Sequence, residues 1–268
     1  MTSIVNTLKE ALHRIPSAPV DPSTVMLAKP EPLEGAANNG ETLPLLFLYL
    51  LNNFAKAVVA QFIDEAGVSP KAADPIGVVA VSVFAQADLC WRGASLIDIL
   101  ICKMRVSCPV LFGIRGSEMT EEGRARLGWK RSESGGWVHE QVHNTRMTGL
   151  GAGYAALSLR DFTKSPHKNP YPPTMYWRTI ASIVGTPPEE MSSTQFTVLK
   201  AMIENNEQRF MTFYGHAARA ALQVMLVDFP SRAPEKTVAV SSLMVLGDKL
   251  KRDVGLLLRP ARREMGNR

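Results

Sequence analysis

The sequence predicts an all-α fold, either a bundle or a HEAT-like stack of antiparallel helix pairs. Three observations support this prediction. Apolar residues recur at helical spacing from Leu45 onward, and no segment of useful length alternates as a strand does. The helical runs follow one another closely, as neighbouring antiparallel helices do. A chain of 268 residues is long enough to bury a full core.

The N-terminal part is predicted to be one helix followed by a connector. Ile4, Val5, Leu8 and Leu12 recur at helical spacing, and Ser3 is a plausible cap for this helix. The stretch that follows, IPSAPVDPSTVMLAKPEPLEGAANNGETLP, is rich in Pro, Gly and small polar residues and has no periodicity. We therefore assign residues 1–43 to an N-terminal helix and a Pro-rich connector.

Three helices are predicted next. They are LLFLYLLNNFAKAVVAQFIDEAG, which ends at Gly67; PIGVVAVSVFAQADL, which is nearly all apolar; and SLIDILICKMRVS, which Cys108-Pro109 stops. A loop-like insert then carries the short helix TEEGRARLG. The helix after it, RMTGLGAGYAALSLRDF, is rich in small residues.

The C-terminal half continues the helical pattern. PTMYWRTIASIVG and SSLMVLGDKLKRDVGLLL each predict one helix. The long run SSTQFTVLKAMIENNEQRFMTFYGHAARAALQVMLVDF predicts two, which meet near Tyr214-Gly215. Residues 44–258 are therefore assigned to one helical domain, and residues 259–268 to a basic tail.

Composition narrows the class of protein. The net charge is +5 and the pI is about 9.2, a mild basic excess that favours an anionic partner without naming one. Three cysteines without a C-x-x-C pair predict small buried side chains in a reducing compartment. The apolar runs LPLLFLYLL and PIGVVAVSVFA are about half as long as a membrane span, which predicts a soluble intracellular protein.

Two motifs suggest enzymes, and neither has the context it needs. HEQVH, from His139 to His143, matches the zinc-protease pattern H-E-x-x-H, but position 149 is Gly149, where a third histidine ligand would stand. We expect both histidines to lie in solvent or at a helix start. GLGAG resembles a dinucleotide loop, but no strand precedes it, so close helix packing explains its glycines better.

Basic side chains on apolar helices are more informative. Lys56 lies among apolar neighbours in NNFAKAVVAQF, and Lys103 and Arg105 end the helix DILICKMRVSCP. Such cations either snorkel to solvent or face a polyanion. Two of these helices side by side would form a concave basic pocket suited to phosphates.

The order of several short motifs resembles one known family. These are the helix ending in Cys108-Pro109, the turn Leu127-Gly128-Trp129, Arg146-Met147, and Trp177 followed by Ala181. In this order, from about Leu45 to about Leu250, they resemble the C-terminal domain of the fungal nuclear-pore mRNA export factor Gle-one.

The resemblance implies a fold and a non-enzymatic function. It implies a HEAT-like, MIF-four-G-like domain that binds the DEAD-box ATPase of mRNA export at the cytoplasmic face of the nuclear pore complex and stimulates it. Inositol hexakisphosphate would tether the two proteins, and an FG nucleoporin would dock on the same domain through a short motif. The aromatic residues of the C-terminal half would be candidates for that docking site, although most of them should be core: Tyr176, Trp177, Phe210, Phe213 and Phe229.

The resemblance also assigns the phosphate site. It places Lys56 and Lys103 at the inositol hexakisphosphate site, to which we add Arg105 as a neighbouring cation, and it implies no metal and no catalytic residue. This chain departs from its relatives at Val106-Ser107, where many of them carry a lysine pair; Arg105 could compensate. Two alternatives stay open: an RNA-binding helical scaffold and, least favoured, a zinc hydrolase.

Overall fold

Helices account for most of the described chain, which confirms the all-α class. The computed structural model describes residues 1–253 and 255–256. The helices are α1 (Thr2–His13), α2 (Leu45–Gln61), α3 (Ala73–Phe84), α4 (Asp98–Ser107), α5 (Glu121–Arg126), α6 (Glu140–Ser158), α7 (Pro173–Val184), α8 (Ser193–Ile203), α9 (Glu207–Gln223), α10 (Phe229–Ser231) and α11 (Val238–Asp253).

Shorter elements join or extend these helices. Single π-helical turns continue α2 over Phe62–Ala66 and α9 over Val224–Asp228. The two strands β1 (Pro19–Val20) and β2 (Leu43–Pro44) form an antiparallel pair in which Val20 lies opposite Leu43. The 3-10 turns are Pro22–Val25, Pro70–Ala72, Ala87–Leu89, Pro109–Phe112 and Pro188–Glu190.

The helices are stacked in layers around α6. α1 packs on α2, the π turn after α2 packs on α6, α6 packs on α8, and α8 packs on α11. α3 and α7 also lie against α6, and α4 lies against α2. This arrangement confirms the predicted HEAT-like, MIF-four-G-like stack.

The small residues of α6 allow its neighbours to come close, as predicted. A Cβ atom at Gly149 would lie 1.9 Å from the carbonyl oxygen of Phe62, and one at Gly153 would lie 2.5 Å from the Phe62 ring. A Cβ atom at Gly151 would lie 2.8 Å from the carbonyl oxygen of Val198 on α8. The glycines of GLGAG are therefore helix-packing residues inside α6.

Three of the family-like motifs meet at one joint. Gly128 has a φ of +82°, and a Cβ atom there would lie 2.8 Å from Cδ of Pro109. Arg146, on α6, is buried and donates from Nη1 to the carbonyl oxygen of Gly128 over 3.2 Å. The guanidinium thus lies against the turn that follows α5. This joint fixes the insert against α4 and α6.

The N-terminal connector is tied to the helices at several points. Arg92 is buried, its Nη2 donates to Oε1 of Glu41 over 2.6 Å, and its backbone N–H donates to Asn38. The indole N–H of Trp91 donates to the carbonyl oxygen of Gly40 over 2.8 Å. The aperiodic connector is therefore an ordered strap across the turn before α4.

Several local predictions were wrong. Met1, not Ser3, is the N-cap residue of α1, because the helix begins at Thr2. The long C-terminal run breaks first after Ile203, where Asn205 has a φ of +67°, and then kinks at Gly215 as predicted. Cys102 is exposed because it lies on the outer face of α4, whereas Cys90 and Cys108 are buried. The basic tail 259–268 lies outside the described residues.

The expectation about membrane spans also needs correction. With its π turn, α2 forms a 22-residue helix, Leu45–Ala66, in which an 18-residue stretch has a mean hydropathy of 1.5. By length and composition alone it could cross a membrane, because the helix continues well beyond the LPLLFLYLL run. In the structure this helix packs against α1, α3 and α4.

Candidate functional site

Lys56 and Lys103 lie on two helices that pack against each other, α2 and α4. Lys56 is exposed and Lys103 is partly buried. Burial, followed by the neighbouring charge of Lys56, lowers the pKa of Lys103. The structure therefore brings these two ammonium groups close enough to repel each other. A phosphate between them would relieve that repulsion through charge-assisted hydrogen bonds.

Arg105 lies on the other flank of α4. Residues two apart on a helix do not face each other, so the side chain of Arg105 cannot extend toward α2 as Lys103 does. Its guanidinium carbon lies 6.0 Å from the centre of the Phe112 ring, at the limit of a cation–π contact. The structure therefore joins two of the three predicted site residues and separates the third.

Val106 and Ser107 stand at the end of α4, where the resemblance implies a basic pair. The side chain of Val106 is 80% exposed, so it presents an apolar surface where a lysine would present charge. Ser107 is partly buried and lies one turn after Lys103 on the same flank. The last two residues of α4 therefore add no positive charge to the surface that carries Lys103.

The two histidines of HEQVH have different environments. His139 is the N-cap residue of α6 and accepts a hydrogen bond at Nδ1 from the backbone N–H of Gln141. His143 is fully buried and stacks on Trp129, with ring centroids 4.0 Å apart. The expectation that both histidines lie in solvent or at a helix start is therefore wrong for His143, because the insert covers it.

His143 belongs to a buried hydrogen-bonded chain. Thr194 donates from both its backbone N–H and its hydroxyl to Oε1 of Glu118, over 2.9 and 2.6 Å. Because that hydroxyl proton is used, His143 must donate from Nε2 to Thr194 Oγ1, over 2.9 Å. Burial, with the charge of Arg146, lowers the pKa of His143 to about 3. This neutral histidine joins the insert to α6 and α8, and it does not have the open geometry of a zinc ligand.

The aromatic residues of the C-terminal half divide into core and surface. Tyr176, Phe210 and Phe229 are buried, as most of the set was expected to be. Trp177 and Phe213 are partly exposed, and Trp177 packs against Tyr214 with ring centroids 4.9 Å apart. We call the partly exposed residues Trp177, Phe213 and Tyr214 the aromatic shelf. It lies on α7 and the first half of α9.

A separate cleft of about 680 Å³ lies between the insert and the N-terminus of α8. Met191, Phe196 and Val240 give it an apolar floor, while Arg115 and Glu190 form an ion pair of 2.8 Å at its edge. Sequence reasoning missed this cleft because its walls come from three distant segments. No periodic pattern links those segments in the sequence.

Comparisons with known proteins identify the family. The family model described as "GLE1-like protein" matches residues 1–226. The chain belongs to the GLE1-like protein family. The resemblance predicted from the order of the short motifs is thereby confirmed.

Fungal relatives within the family are mRNA export factors. The chain is similar to mRNA export factor GLE1 of Chaetomium thermophilum, with 57% identity over 254 residues, covering 94% of this chain and 48% of the relative. It is 27% identical over 206 residues to the Saccharomyces cerevisiae factor, covering 75% of this chain and 37% of that protein. The chain therefore spans about half the length, or less, of the curated relatives it matches.

Solved structures also resemble this fold. One is the S. cerevisiae Dbp5 C-terminal domain bound to Gle1 and IP6, with a TM-score of 0.70 and 25% identity. The match covers 82% of this chain and 73% of that chain. A second structure, in which the same complex carries a substituted Gle1, matches with the same TM-score.

Proposed function

We propose that this chain binds the DEAD-box ATPase of mRNA export at the cytoplasmic face of the nuclear pore complex and stimulates its cycle without performing chemistry itself. Inositol hexakisphosphate would be held between the two proteins. The observation that best supports this is the likeness to a Gle1 structure in which Dbp5 and IP6 are bound. The proximity of Lys56 and Lys103 on adjacent helices supports it independently.

The proposed phosphate site is centred on Lys56 and Lys103. Each ammonium group can donate several hydrogen bonds to phosphate oxygens, and the ligand would neutralise two like charges at once. Arg105, on the opposite flank of α4, would contribute longer-range charge to the same ligand. A ligand that several cations of each partner share would tether two basic surfaces that otherwise repel.

The stack of helices suits the proposed mechanism. A DEAD-box ATPase closes its two lobes on ATP and RNA and must open them to release products. An activator that binds the open arrangement better by about 2 kcal/mol shifts the equilibrium about thirtyfold. A rigid body can do this by contacting both lobes. We propose that residues 44–258 form this activating unit, with residues 1–43 packed on it.

The proposal is tested by ATPase stimulation with and without inositol hexakisphosphate. We expect the Lys56→Glu, Lys103→Glu double variant to lose the polyphosphate-dependent part of the stimulation. A charge-matched control is Lys236→Glu, Lys249→Glu, because both of these lysines are exposed and lie beside or on α11, away from α2 and α4. If the wild type and the Lys56→Glu, Lys103→Glu variant depend equally on the polyphosphate, the phosphate site is not at these two lysines.

We further propose that an FG nucleoporin docks through a short motif on the aromatic shelf. Partly exposed aromatic side chains next to one another are typical of peptide-docking surfaces. Trp177→Ala should weaken binding of an FG nucleoporin fragment about tenfold or more, as loss of a central aromatic contact does. Tyr49→Ala is the control, because Tyr49 is 57% exposed on a different helix. Equal losses in both variants would contradict this docking site.

A further inference from the structure

The loop between α6 and α7 presents a short exposed tip, and two anchors follow this tip in the sequence. The side-chain amide of Asn169 closes the base of the loop by donating to the carbonyl oxygens of Leu157, Ser158 and Arg160, over 3.0, 3.3 and 3.2 Å. Beyond it, Tyr171 is buried with its hydroxyl 3.0 Å from that of Tyr154. The residues before Asn169 therefore project from a fixed base.

The tip contains the sequence Ser165-Pro166-His167-Lys168. Its backbone is irregular over residues 160–172, and Lys164, Pro166 and Lys168 are exposed. Ser165 is partly exposed, and its backbone N–H donates to the carbonyl oxygen of Phe162 over 2.9 Å. Among the described residues, its hydroxyl accepts a hydrogen bond from the backbone N–H of His167 over 3.1 Å and donates none. Its proton is therefore available. A serine followed by proline, with a basic residue at the third position after it, is the sequence that proline-directed protein kinases prefer.

The chain has two other pairs of this kind, and neither presents its hydroxyl in the same way. Thr186 is fully buried, and its Oγ1 accepts a hydrogen bond of 2.9 Å from Gln195. Ser69 is exposed, but Pro70 begins a 3-10 turn that leads directly into α3, and the third residue after Ser69 is Ala72. A serine at the start of a helix cannot take up the extended conformation that a kinase active site binds unless the first turn of that helix unwinds.

The geometry points to Ser165 as a phosphorylation site for a proline-directed serine/threonine kinase. In the transfer, a new bond forms between Oγ of Ser165 and the γ-phosphorus of ATP. The bond to the leaving ADP oxygen breaks, and the hydroxyl proton passes to the kinase's base. The added dianion would lie beside Lys164 and Lys168, which can form charge-assisted hydrogen bonds with it. Phosphorylation would therefore add charge at the tip and leave the two anchors in place.

The test uses the whole folded chain, a purified cyclin-dependent kinase with its cyclin, and ATP. We expect one phosphoryl group per chain, located on Ser165 by fragmentation mass spectrometry. Ser165→Ala should abolish it, and Ser69→Ala should leave it unchanged. Lys168→Glu should lower kcat/KM about tenfold, because one charged contact with the kinase is lost. A synthetic peptide of residues 160–172 serves as the unfolded reference substrate.

Three results would overturn the assignment. The first is incorporation at Ser69 or Thr186 in place of Ser165. The second is phosphorylation of the synthetic peptide but not of the folded chain, which would show that the folded loop does not make the Ser165 hydroxyl accessible to the kinase. The third is absence of transfer to both, which would show that this kinase class does not recognise the sequence. A melting temperature equal to that of the unmodified chain would confirm that the anchors tolerate the phosphate.

Discussion

Gly149→Ala tests the packing of α6 directly. The added Cβ atom would lie 1.9 Å from the carbonyl oxygen of Phe62 and 2.6 Å from the backbone nitrogen of Gly67. Ordinary contact begins at 3.4 Å, so the π turn would have to move by about 1.5 Å, the difference 3.4 − 1.9. Both contacted atoms belong to the backbone, so no side-chain rotation can relieve the clash.

Two opposing terms set the size of the effect. Overpacking costs about 1–3 kcal/mol and occasionally more, and the backbone clash places this position at or above the upper end of that range. Replacing glycine by alanine inside a helix increases the free energy of unfolding by about 1 kcal/mol, because alanine has the higher helix propensity. We therefore expect a net loss of about 2 kcal/mol, which lowers the melting temperature of a chain this long by about 4–8 °C.

The assay is urea and thermal unfolding followed by circular dichroism. Gly136→Ala is the control, because the nearest atom to a Cβ there is Oγ of Ser132 at 3.9 Å and the residue lies in a loop. A Gly149→Ala variant as stable as the wild type, or more stable, would refute the close approach of α6 and the turn after α2. It would also show that helix propensity dominates at this position.

Three further predictions concern the buried joint and the phosphate site. Thr194→Val should destabilise the fold by about 1–3 kcal/mol in urea unfolding, because the carboxylate of Glu118 loses both its hydroxyl donor and its link to His143. Equal stability in this variant would contradict the hydrogen-bonded chain. The folded pKa of His143, about 3, lies below its unfolded value of about 6.5. The unfolded state therefore binds the proton first, and stability should fall as the pH drops from about 6.5 toward about 3. His143→Phe should reduce the change in the free energy of unfolding over this pH range. An unchanged pH dependence would show that other groups cause it. Calorimetric titration with inositol hexakisphosphate should show about tenfold weaker binding for Lys103→Ala and little change for Arg105→Ala; the reverse order would contradict the proposed centre of the site.

Helical periodicity predicted the fold class and most of the helices. The apolar spacing of α2, α4, α6 and α7 reflects burial on one or more faces, and that signal is local. The break after Ile203 escaped this reasoning because apolar and polar residues continue across it at helical spacing. α8 ends because Glu204 has a non-helical ψ of 123° and Asn205 then adopts a φ of +67°, and the pattern specifies neither conformation.

The candidate site was only partly predictable. Lys56 and Lys103 stand out because each is a cation in an apolar helix, and the packing of α2 on α4 then brings them together. The separation of Arg105 follows from its spacing of two residues from Lys103, a geometric consequence that could have been drawn from the sequence. The burial of His143 could not have been predicted from the sequence, because it depends on contacts with Trp129 and Thr194, which lie in distant segments of the chain.

One measurement tests the account most directly: the ATPase rate of the cognate export helicase, with this chain added, across a series of inositol hexakisphosphate concentrations. We predict stimulation that rises with the polyphosphate for the wild-type chain and stays flat when Lys56 and Lys103 are both replaced by glutamate. A helicase rate that this chain never raises, at any polyphosphate concentration, would contradict the proposed function itself.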